Sequence, residues 1–170
     1  GETVKEYKIG DRVAGEAHAG CGYCKNCLSG NYTICLNYGK SETGARHYGF
    51  HYHGANCEYN TYFTKAIHQI PDDLSYDYAS LVDICGVALH CVELTGVTPA
   101  GTVAIFGPGP AGIALMQIVK GLGCARTIMM GRGDRLQHAT EVGADYIVDI
   151  NKEDHVEAVK EITGGFGVDE

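Results

Sequence analysis

A run of apolar and β-branched residues that ends in spaced glycines constrains this chain more than any other feature. Val103 to Phe106 is typical of a strand, and Gly107 to Gly112 follows the pattern G-x-G-x-x-G. Helix-compatible residues continue from Ile113 to Leu122, so the glycines stand between a strand and a helix. In that context the pattern indicates a dinucleotide-binding turn. Glycine is abundant, with 24 in 170 residues, so the alternative is a structural turn in another α/β protein.

Each glycine of this turn has a separate physical role. Gly107 allows the tight turn, Gly109 lets the backbone approach a pyrophosphate, and Gly112 lets the helix pack closely on the strand. Pro108 and Pro110 lack an N–H, so the phosphates would rely on N–H groups from the following residue onward. The predicted cofactor-binding residues of the turn are Gly107, Gly109, Pro110, Ala111 and Gly112.

Composition excludes several classes of protein. The chain has 170 residues, of which 45% are hydrophobic and 20% charged, which is typical of one globular domain or two small ones. Its formal net charge is −8, which argues against nonspecific binding to nucleic acid or to anionic membranes. No apolar run approaches the ~20 residues of a membrane span, and residues 1–20 contain no signal-peptide core. We therefore expect a cytoplasmic protein.

A compact cluster of cysteines predicts a metal site. Cys21, Cys24 and Cys27 are spaced three residues apart, and Cys35 follows eight residues later. Thiolates suit tetrahedral zinc, and four protein ligands leave no open position, so the site would be structural. An iron–sulfur cluster is the competing metal site. In the ferredoxin motif, however, the fourth cysteine follows after three residues and precedes a proline, whereas here it follows after seven residues and precedes a leucine. A cluster without metal is the remaining alternative.

The other possible ligands have simpler interpretations. The four remaining cysteines lie in apolar surroundings, and we expect them to be small buried side chains: Cys57, Cys85, Cys91 and Cys124. His47, His51 and His53 could bind a metal, but the mixed polarity around them favours a polar surface loop or a loop that lines a pocket.

Asp83 is the acidic residue whose position most needs an explanation. It lies in an apolar, helical stretch from Tyr76 to Leu94, which could break near Cys85-Gly86. A carboxylate in such a place is paired with a partner, caps a helix or binds a metal.

Strands and helices alternate through the second half of the chain. The first half is predicted to form strands over Arg12 to Ala17, Glu58 to Phe63 and Ala66 to Ile70. After the glycine turn the predicted elements are strand Arg126 to Met130, helix Asp134 to Val142, strand Tyr146 to Asp149 and helix Asp154 to Ile162, and Val168 would open another strand. This order predicts a parallel, doubly wound sheet that ends halfway.

Several motifs stand together in the order of one family. They are Asp11-Arg-Val, the cysteine cluster, Gly54 to Tyr59, Asp83 about two dozen residues before Gly107, and Gly143-Ala-Asp145. The whole chain resembles the middle of a zinc-containing medium-chain alcohol dehydrogenase, on the branch of the sorbitol, threonine, butanediol and bacterial secondary-alcohol dehydrogenases. The resemblance implies an α/β protein. Residues 1–81 would be part of a GroES-like, β-rich catalytic domain with a zinc lobe at 18–38, and residues 82–170 would be the first half of a Rossmann domain.

The resemblance also implies the chemistry. Cys21, Cys24, Cys27 and Cys35 would hold the structural zinc, and Asp83 would be both catalytic and the third ligand of a catalytic zinc. The other ligands, a cysteine and a histidine in a Gly-His-Glu run, would precede Gly1, so we expect the chain to be cut from a longer protein. The reaction would transfer a hydride between a secondary alcohol or polyol, or its carbonyl product, and NAD(P), in a homodimer or homotetramer. The alternatives are a zinc-less quinone-type reductase and a non-catalytic protein that binds zinc and nucleotide.

Residues after the second strand bear on the choice of cofactor. The family places an acid for NAD 24 residues beyond Gly107, and Gly131 stands there. Arg132 and Arg135 follow, and guanidinium groups suit a 2′-phosphate, so we count both among the cofactor-binding residues. Asp134 is acidic, but it stands where the next helix begins and is expected to cap that helix. We therefore predict NADP, with NAD as the alternative.

Overall fold

The computed structural model describes residues 2–170, which divide into two compact units. The first unit ends at Asp83, and the second runs from Ile84 to Glu170. In the described part of the chain, no helix combines the length and the apolar character that crossing a membrane requires.

The first unit is built on two short antiparallel strand pairs. β1 (Val13–Gly15) pairs with β4 (Ile67–Gln69), and β2 (His18–Ala19) pairs with β3 (Arg46–His47). Helix α1 (Lys25–Leu28) lies between β2 and β3 in the chain. Two small apolar clusters sit beside the pairs, one around Ala14, Ile70 and Ala79 and the other around Ala19, Tyr48 and Ala66.

The predicted strand from Glu58 to Phe63 is wrong. These residues form no regular strand, and two of their backbone N–H groups bond to side chains instead of to a neighbouring strand. Thr61 N donates to the Oδ1 of Asn60 at 2.8 Å, and Phe63 N donates to the hydroxyl of Tyr48 at 2.9 Å. The two flanking predictions are confirmed as the shorter strands β1 and β4.

The helical stretch contains two helices, and the break lies earlier than predicted. Helix α2 (Tyr76–Ala79) ends at Ser80, whose hydroxyl donates to the carbonyl of Asp77 at 2.6 Å. Helix α3 (Val82–Thr95) then runs through Gly86 without interruption. A glycine inside a helix costs only ~0.5–1 kcal/mol relative to alanine, which the rest of this helix tolerates.

The expectation that the four scattered cysteines are buried is wrong. Cys57 and Cys91 are exposed, and Cys85 and Cys124 are only partly buried. Helix α3 buries Ala88 and Val92, so Cys91, one residue before Val92, is turned about 100° away from that face.

The second unit is a parallel α/β sheet, as predicted. Its strands are β5 (Thr102–Phe106), β6 (Arg126–Gly131) and β7 (Tyr146–Asp149), in the spatial order β5-β6-β7. The crossing helices are α4 (Pro110–Gly121) and α5 (Asp134–Glu141), and α6 (His155–Ile162) follows β7. The order and the parallel pairing are those of the first half of a Rossmann sheet.

Apolar side chains on both faces of this sheet form its core. Met116 and Val119 of α4 pack with Met129 of β6, while Ile128 and Val148 pack on the opposite face with α6. The end of the chain lies against the free edge of β5: Asp169 N donates to Thr102 O at 2.9 Å, and Ala104 N donates to Glu170 O at 2.9 Å. These bonds continue the sheet beyond β5, although residues 168–170 do not form a regular strand.

Candidate functional site

The four clustered cysteines converge on one point. Their Sγ atoms all lie within 4.8 Å of one another, and the Cys21–Cys27 and Cys24–Cys35 pairs are both separated by 3.9 Å. Tetrahedral zinc with Zn–S bonds of ~2.3 Å would place its sulfur atoms about 3.8 Å apart. The donor set and its spacing therefore fit a four-thiolate zinc centre with no position left for water.

Hydrogen bonds in this lobe favour the thiolate form of Cys21. Cys24 N donates to Cys21 Sγ, and the side-chain amide of Asn37 donates to the same sulfur, both at 3.4 Å. Burial opposes ionisation of Cys21, but the hydrogen bonds from backbone groups and from Asn37 outweigh it and lower its pKa to about 6. At Cys27, burial and the neighbouring sulfurs outweigh the hydrogen bond from the backbone of Gly22. The pKa of Cys27 is therefore raised to about 11. A cation at the centre of the four sulfurs would stabilise their thiolate forms.

A glycine allows the lobe to close. A Cβ atom added at Gly20 would lie 2.6 Å from Cys27 Sγ and 2.8 Å from Tyr32 Cβ, so only glycine fits there. The carbonyl of Gly20 also accepts a hydrogen bond from the ammonium group of Lys65. Cys35 is the most deeply buried of the four ligands.

The glycine-rich turn has the geometry that its pattern predicts. Gly107 adopts a φ of 99°, which favours glycine. A Cβ added at Gly112 would lie 2.0 Å from the carbonyl oxygen of Gly107, so the helix reaches its close packing only with glycine there. Gly109 is the N-cap of α4 and makes no side-chain cap, which leaves the N–H groups of the first helical turn available to an anion.

An open cleft of about 860 Å³ joins this turn to the end of β6. Two of the three predicted turn glycines, Gly107 and Gly109, line it together with Gly131, Arg132 and Arg135. The other predicted residues of the turn, Pro110, Ala111 and Gly112, are not part of this lining. Both arginines are exposed.

The expectation that Asp134 caps the next helix is wrong. The N-cap of α5 is Gly133, and Asp134 is the first helical residue, with no side-chain cap bond at this end. Gly133 occupies the cap with φ 71° and ψ −168°, a backbone conformation that is essentially confined to glycine. Asp134 lines the cleft instead, beside the two arginines.

Asp83 stands apart from the other predicted ligands. It lies in the first turn of α3 and is exposed, so the burial penalty that singled it out in the sequence does not arise. Among residues 2–170 its carboxylate makes no hydrogen bond or ion pair, and the gathered metal-ligand cluster contains the four cysteines alone.

Aromatic rings and imidazoles stack near this carboxylate. The ring of His47 stacks on His18 at 4.2 Å and on Phe50 at 4.0 Å, and it is hydrogen-bonded to the hydroxyl of Tyr38. Burial lowers the pKa of His47, His18 and His51 lower it further, and the charge of Asp83 opposes them. His51 and His53 are exposed, and His53 lines an open cleft of about 660 Å³.

Sequence reasoning missed several residues of these sites. Asn37 donates to a lobe sulfur, Gly20 makes room for another, and His18 joins His47 through the pairing of β2 with β3. No spacing rule identifies an amide or a glycine beside a metal lobe, and strand pairing is not a local property. Only the position of Asn37, two residues after Cys35, gave a signal.

Two family profiles match this chain. The profile described as "Alcohol dehydrogenase GroES-like domain" matches residues 1–72, and the one described as "Zinc-binding dehydrogenase" matches residues 110–170. A curated relative, the sorbitol dehydrogenase of Bacillus subtilis (strain 168), is 34% identical over 170 residues, which is 99% of this chain and 46% of that protein. The chain thus spans about half the length of the curated relatives it matches.

Two solved structures are similar to it in fold. One, from Sinorhizobium meliloti 1021, is described as a zinc-binding dehydrogenase bound to NADP; its TM-score is 0.85 at 30% identity, over 99% of this chain and 48% of that one. The other is a short chain alcohol dehydrogenase of E. coli CFT073 complexed with NADH, with a TM-score of 0.84 at 28% identity, over 96% of this chain and 47% of that one.

Proposed function

Because this chain belongs to the zinc-containing medium-chain alcohol dehydrogenase family, we propose that the full-length protein is a zinc-dependent oxidoreductase. Its reaction transfers a hydride between a secondary alcohol or polyol, or the carbonyl product, and a nicotinamide cofactor. The single observation that carries this proposal is the glycine turn that lines the 860 Å³ cleft. A turn of this kind lets the backbone approach a pyrophosphate closely. The similarity to a sorbitol dehydrogenase supports the substrate class.

The glycine turn and the first turn of α4 would bind the cofactor in this proposal. Gly109 lets the backbone approach the pyrophosphate, and N–H groups from Ala111 onward donate to its oxygens, helped by the positive end of α4. Pro110 at the first helical position fixes φ and removes a donor that has no intrahelical partner. These groups would hold the pyrophosphate of a dinucleotide, whose nicotinamide would supply the hydride chemistry.

The cysteine lobe would hold a structural zinc through Cys21, Cys24, Cys27 and Cys35. Because all four positions are taken by protein, this lobe orders residues 18–38 and takes no part in the reaction.

Asp83 would provide a ligand for the catalytic zinc. Its exposed, unpaired carboxylate supports this role, since a ligand must be free to bind metal. In the chemistry of the family, the hydride passes between the substrate carbon and the nicotinamide while the alcohol oxygen is polarised by zinc. The carboxylate of Asp83 would contribute one negatively charged oxygen ligand to that metal site.

The cofactor is proposed to be NADP. Gly131 carries no acid that could bind the ribose hydroxyls, and two guanidinium groups line the same cleft. Arg132 and Arg135 would bind the 2′-phosphate through charge-assisted hydrogen bonds. Asp134 is the opposing charge in this cleft, so the preference depends on how far the arginines outweigh it.

Steady-state kinetics with the full-length enzyme test the function and the cofactor together. We expect oxidation of a polyol such as sorbitol, or of a secondary alcohol such as 2,3-butanediol, with a higher kcat/KM for NADP than for NAD. Arg132→Ala and Arg135→Ala should each lower kcat/KM for NADP about tenfold or more, because a charge-assisted hydrogen bond contributes about 1.5–3 kcal/mol.

Arg126→Ala, at the opposite end of β6, is the matched control and should change neither value. A preference for NAD of about tenfold, or 1.4 kcal/mol, would indicate that the two arginines are solvated surface charges that do not bind the 2′-phosphate. Full turnover by a protein without zinc would favour a quinone-type reductase instead.

The resemblance also predicts a cytoplasmic homodimer or homotetramer. Light scattering on the full-length protein would decide between these two states and a monomer.

A further inference from the structure

The ring of Pro108 packs against Gly131 at the end of β6. A Cβ atom added at Gly131 would lie 2.3 Å from Pro108 Cδ and 2.7 Å from its Cγ, while the next nearest atom, Pro108 N, is 3.6 Å away. Only these two ring atoms come closer than an ordinary contact. Glycine at position 131 is thus matched to proline at position 108.

The backbone at Gly131 does not by itself require glycine. Its φ is not positive, and it continues the ladder of β6, in register with Asp149. Its carbonyl accepts a hydrogen bond from Ile150 N at 3.0 Å, which keeps the strand end in place. Any residue could adopt this conformation, so the obstacle to a side chain is steric and comes from Pro108.

The two positions are held in register by the sheet. Gly107 N donates to Met130 O at 2.8 Å, which ties the start of the glycine turn to the residue before Gly131. Because both ends are fixed by backbone hydrogen bonds, a side chain at 131 cannot be accommodated by sliding one segment past the other.

We propose that Pro108 is a specificity-determining residue, which excludes an acidic side chain from position 131 and so leaves the ribose 2′ end of the cofactor to Arg132 and Arg135. This proposal rests on the proposed dinucleotide function. Its new content is that preference for the 2′-phosphate is set by a residue of the pyrophosphate turn, which lines the same cleft as the arginines. Asp149, the neighbouring acid, does not substitute for the excluded one, because it is paired with Lys152 at 2.9 Å.

A double-mutant cycle tests the steric pair without any cofactor. Gly131→Ala should lower the melting temperature, whereas the same change in a Pro108→Ala background should cost much less, because Pro108→Ala removes both clashing atoms. Equal losses in the two backgrounds would overturn the steric coupling, whatever the protein does with nucleotides.

Equilibrium binding of NADPH and NADH, followed by their fluorescence, tests the consequence. Gly131→Asp should lose stability and bind both nucleotides weakly. Pro108→Ala/Gly131→Asp should regain stability and move the ratio of the two dissociation constants toward NADH by about tenfold, or 1.4 kcal/mol, relative to Pro108→Ala. The ratio cancels any uniform effect of the N–H that Pro108→Ala introduces.

The outcomes separate the two proposals. Binding of neither nucleotide by the wild-type protein would refute the dinucleotide function and leave the stability cycle to be judged alone. A Gly131→Asp variant that is as stable as the wild type and binds NADH as well as the double variant does would overturn the role of Pro108. A stable double variant that still prefers NADPH as strongly as Pro108→Ala would overturn it too.

Discussion

Gly112→Ala is the substitution whose effect follows most directly from the structure. The added Cβ would stand 2.0 Å from Gly107 O, about 1.4 Å inside the 3.4 Å at which ordinary contact begins. The opposing atom is a backbone carbonyl next to the strand end, so no side chain can rotate away. The start of α4 must therefore move from β5, or the turn must open.

The magnitude combines two opposing effects. Overpacking of a well-packed site costs about 1–3 kcal/mol, and a backbone clash belongs at the upper end. Alanine inside a helix regains up to about 1 kcal/mol relative to glycine. We expect a net loss of about 2 kcal/mol, which corresponds to a melting temperature about 4–8 °C lower in a chain of this size.

Two glycines of the same element provide controls. Gly121→Ala has nothing within 4 Å of its added Cβ and should leave stability unchanged or raise it. Gly109→Ala is equally free of clashes, with a φ of −87°, but its Cβ would occupy space that the pyrophosphate needs. It should therefore keep its melting temperature and lose affinity for NADPH.

Thermal denaturation followed by circular dichroism, with NADPH titration on each variant, measures both quantities. A Gly112→Ala protein as stable as Gly121→Ala would refute the packing argument. A Gly109→Ala protein with wild-type affinity would show that the pyrophosphate does not approach this backbone.

Three further predictions concern the metals and the sheet. Cys24→Ser should reduce the tightly bound zinc by one per chain and increase hydrogen exchange across residues 18–38, and elemental analysis that finds iron in the wild type would contradict the assignment. Asp83→Ala should lose the catalytic zinc and the activity of the full-length enzyme but keep the lobe zinc, whereas two retained zincs with full turnover would make Asp83 structural. Asp145 accepts bonds from buried Thr127 N and Oγ1 and from Lys120 Nζ, all at 2.8 Å. Burial raises its pKa, but these bonds outweigh burial and lower it below the ordinary value. The carboxylate therefore stabilises the fold above about pH 4 and ceases to do so as the pH falls through the folded pKa. Asp145→Asn should cost about 1–3 kcal/mol at pH 7 by denaturant unfolding, and a loss that did not shrink at low pH would contradict this.

The sequence alone was sufficient where the signal is local. The glycine turn, the cysteine spacing and the alternation of strands and helices after Gly112 each depend on residues close together in the chain. Periodicity and turn chemistry act over that same range, so the strands β5, β6 and β7 and their parallel sheet could be predicted. The short strands of the first unit were harder, because their pairing partners are distant in sequence.

The segment from Glu58 to Phe63 shows why local alternation can mislead. Its residues alternate well enough to suggest a strand, yet Tyr62 stacks on Tyr48 at 4.0 Å and the N–H groups of Thr61 and Phe63 bond to side chains. Alternation records which residues are apolar; it does not record whether a partner strand is within hydrogen-bonding reach.

What the sequence determined by itself is which groups the chain carries and how closely they can be spaced along it: four thiols, a glycine turn, and two arginines after the second strand. The tertiary structure alone decided that the sulfurs meet within 4.8 Å and that Asp83 is exposed. It also seated Pro108 on Gly131. Distances between side chains and the exposure of a residue depend on how the folded chain packs, which no local pattern encodes.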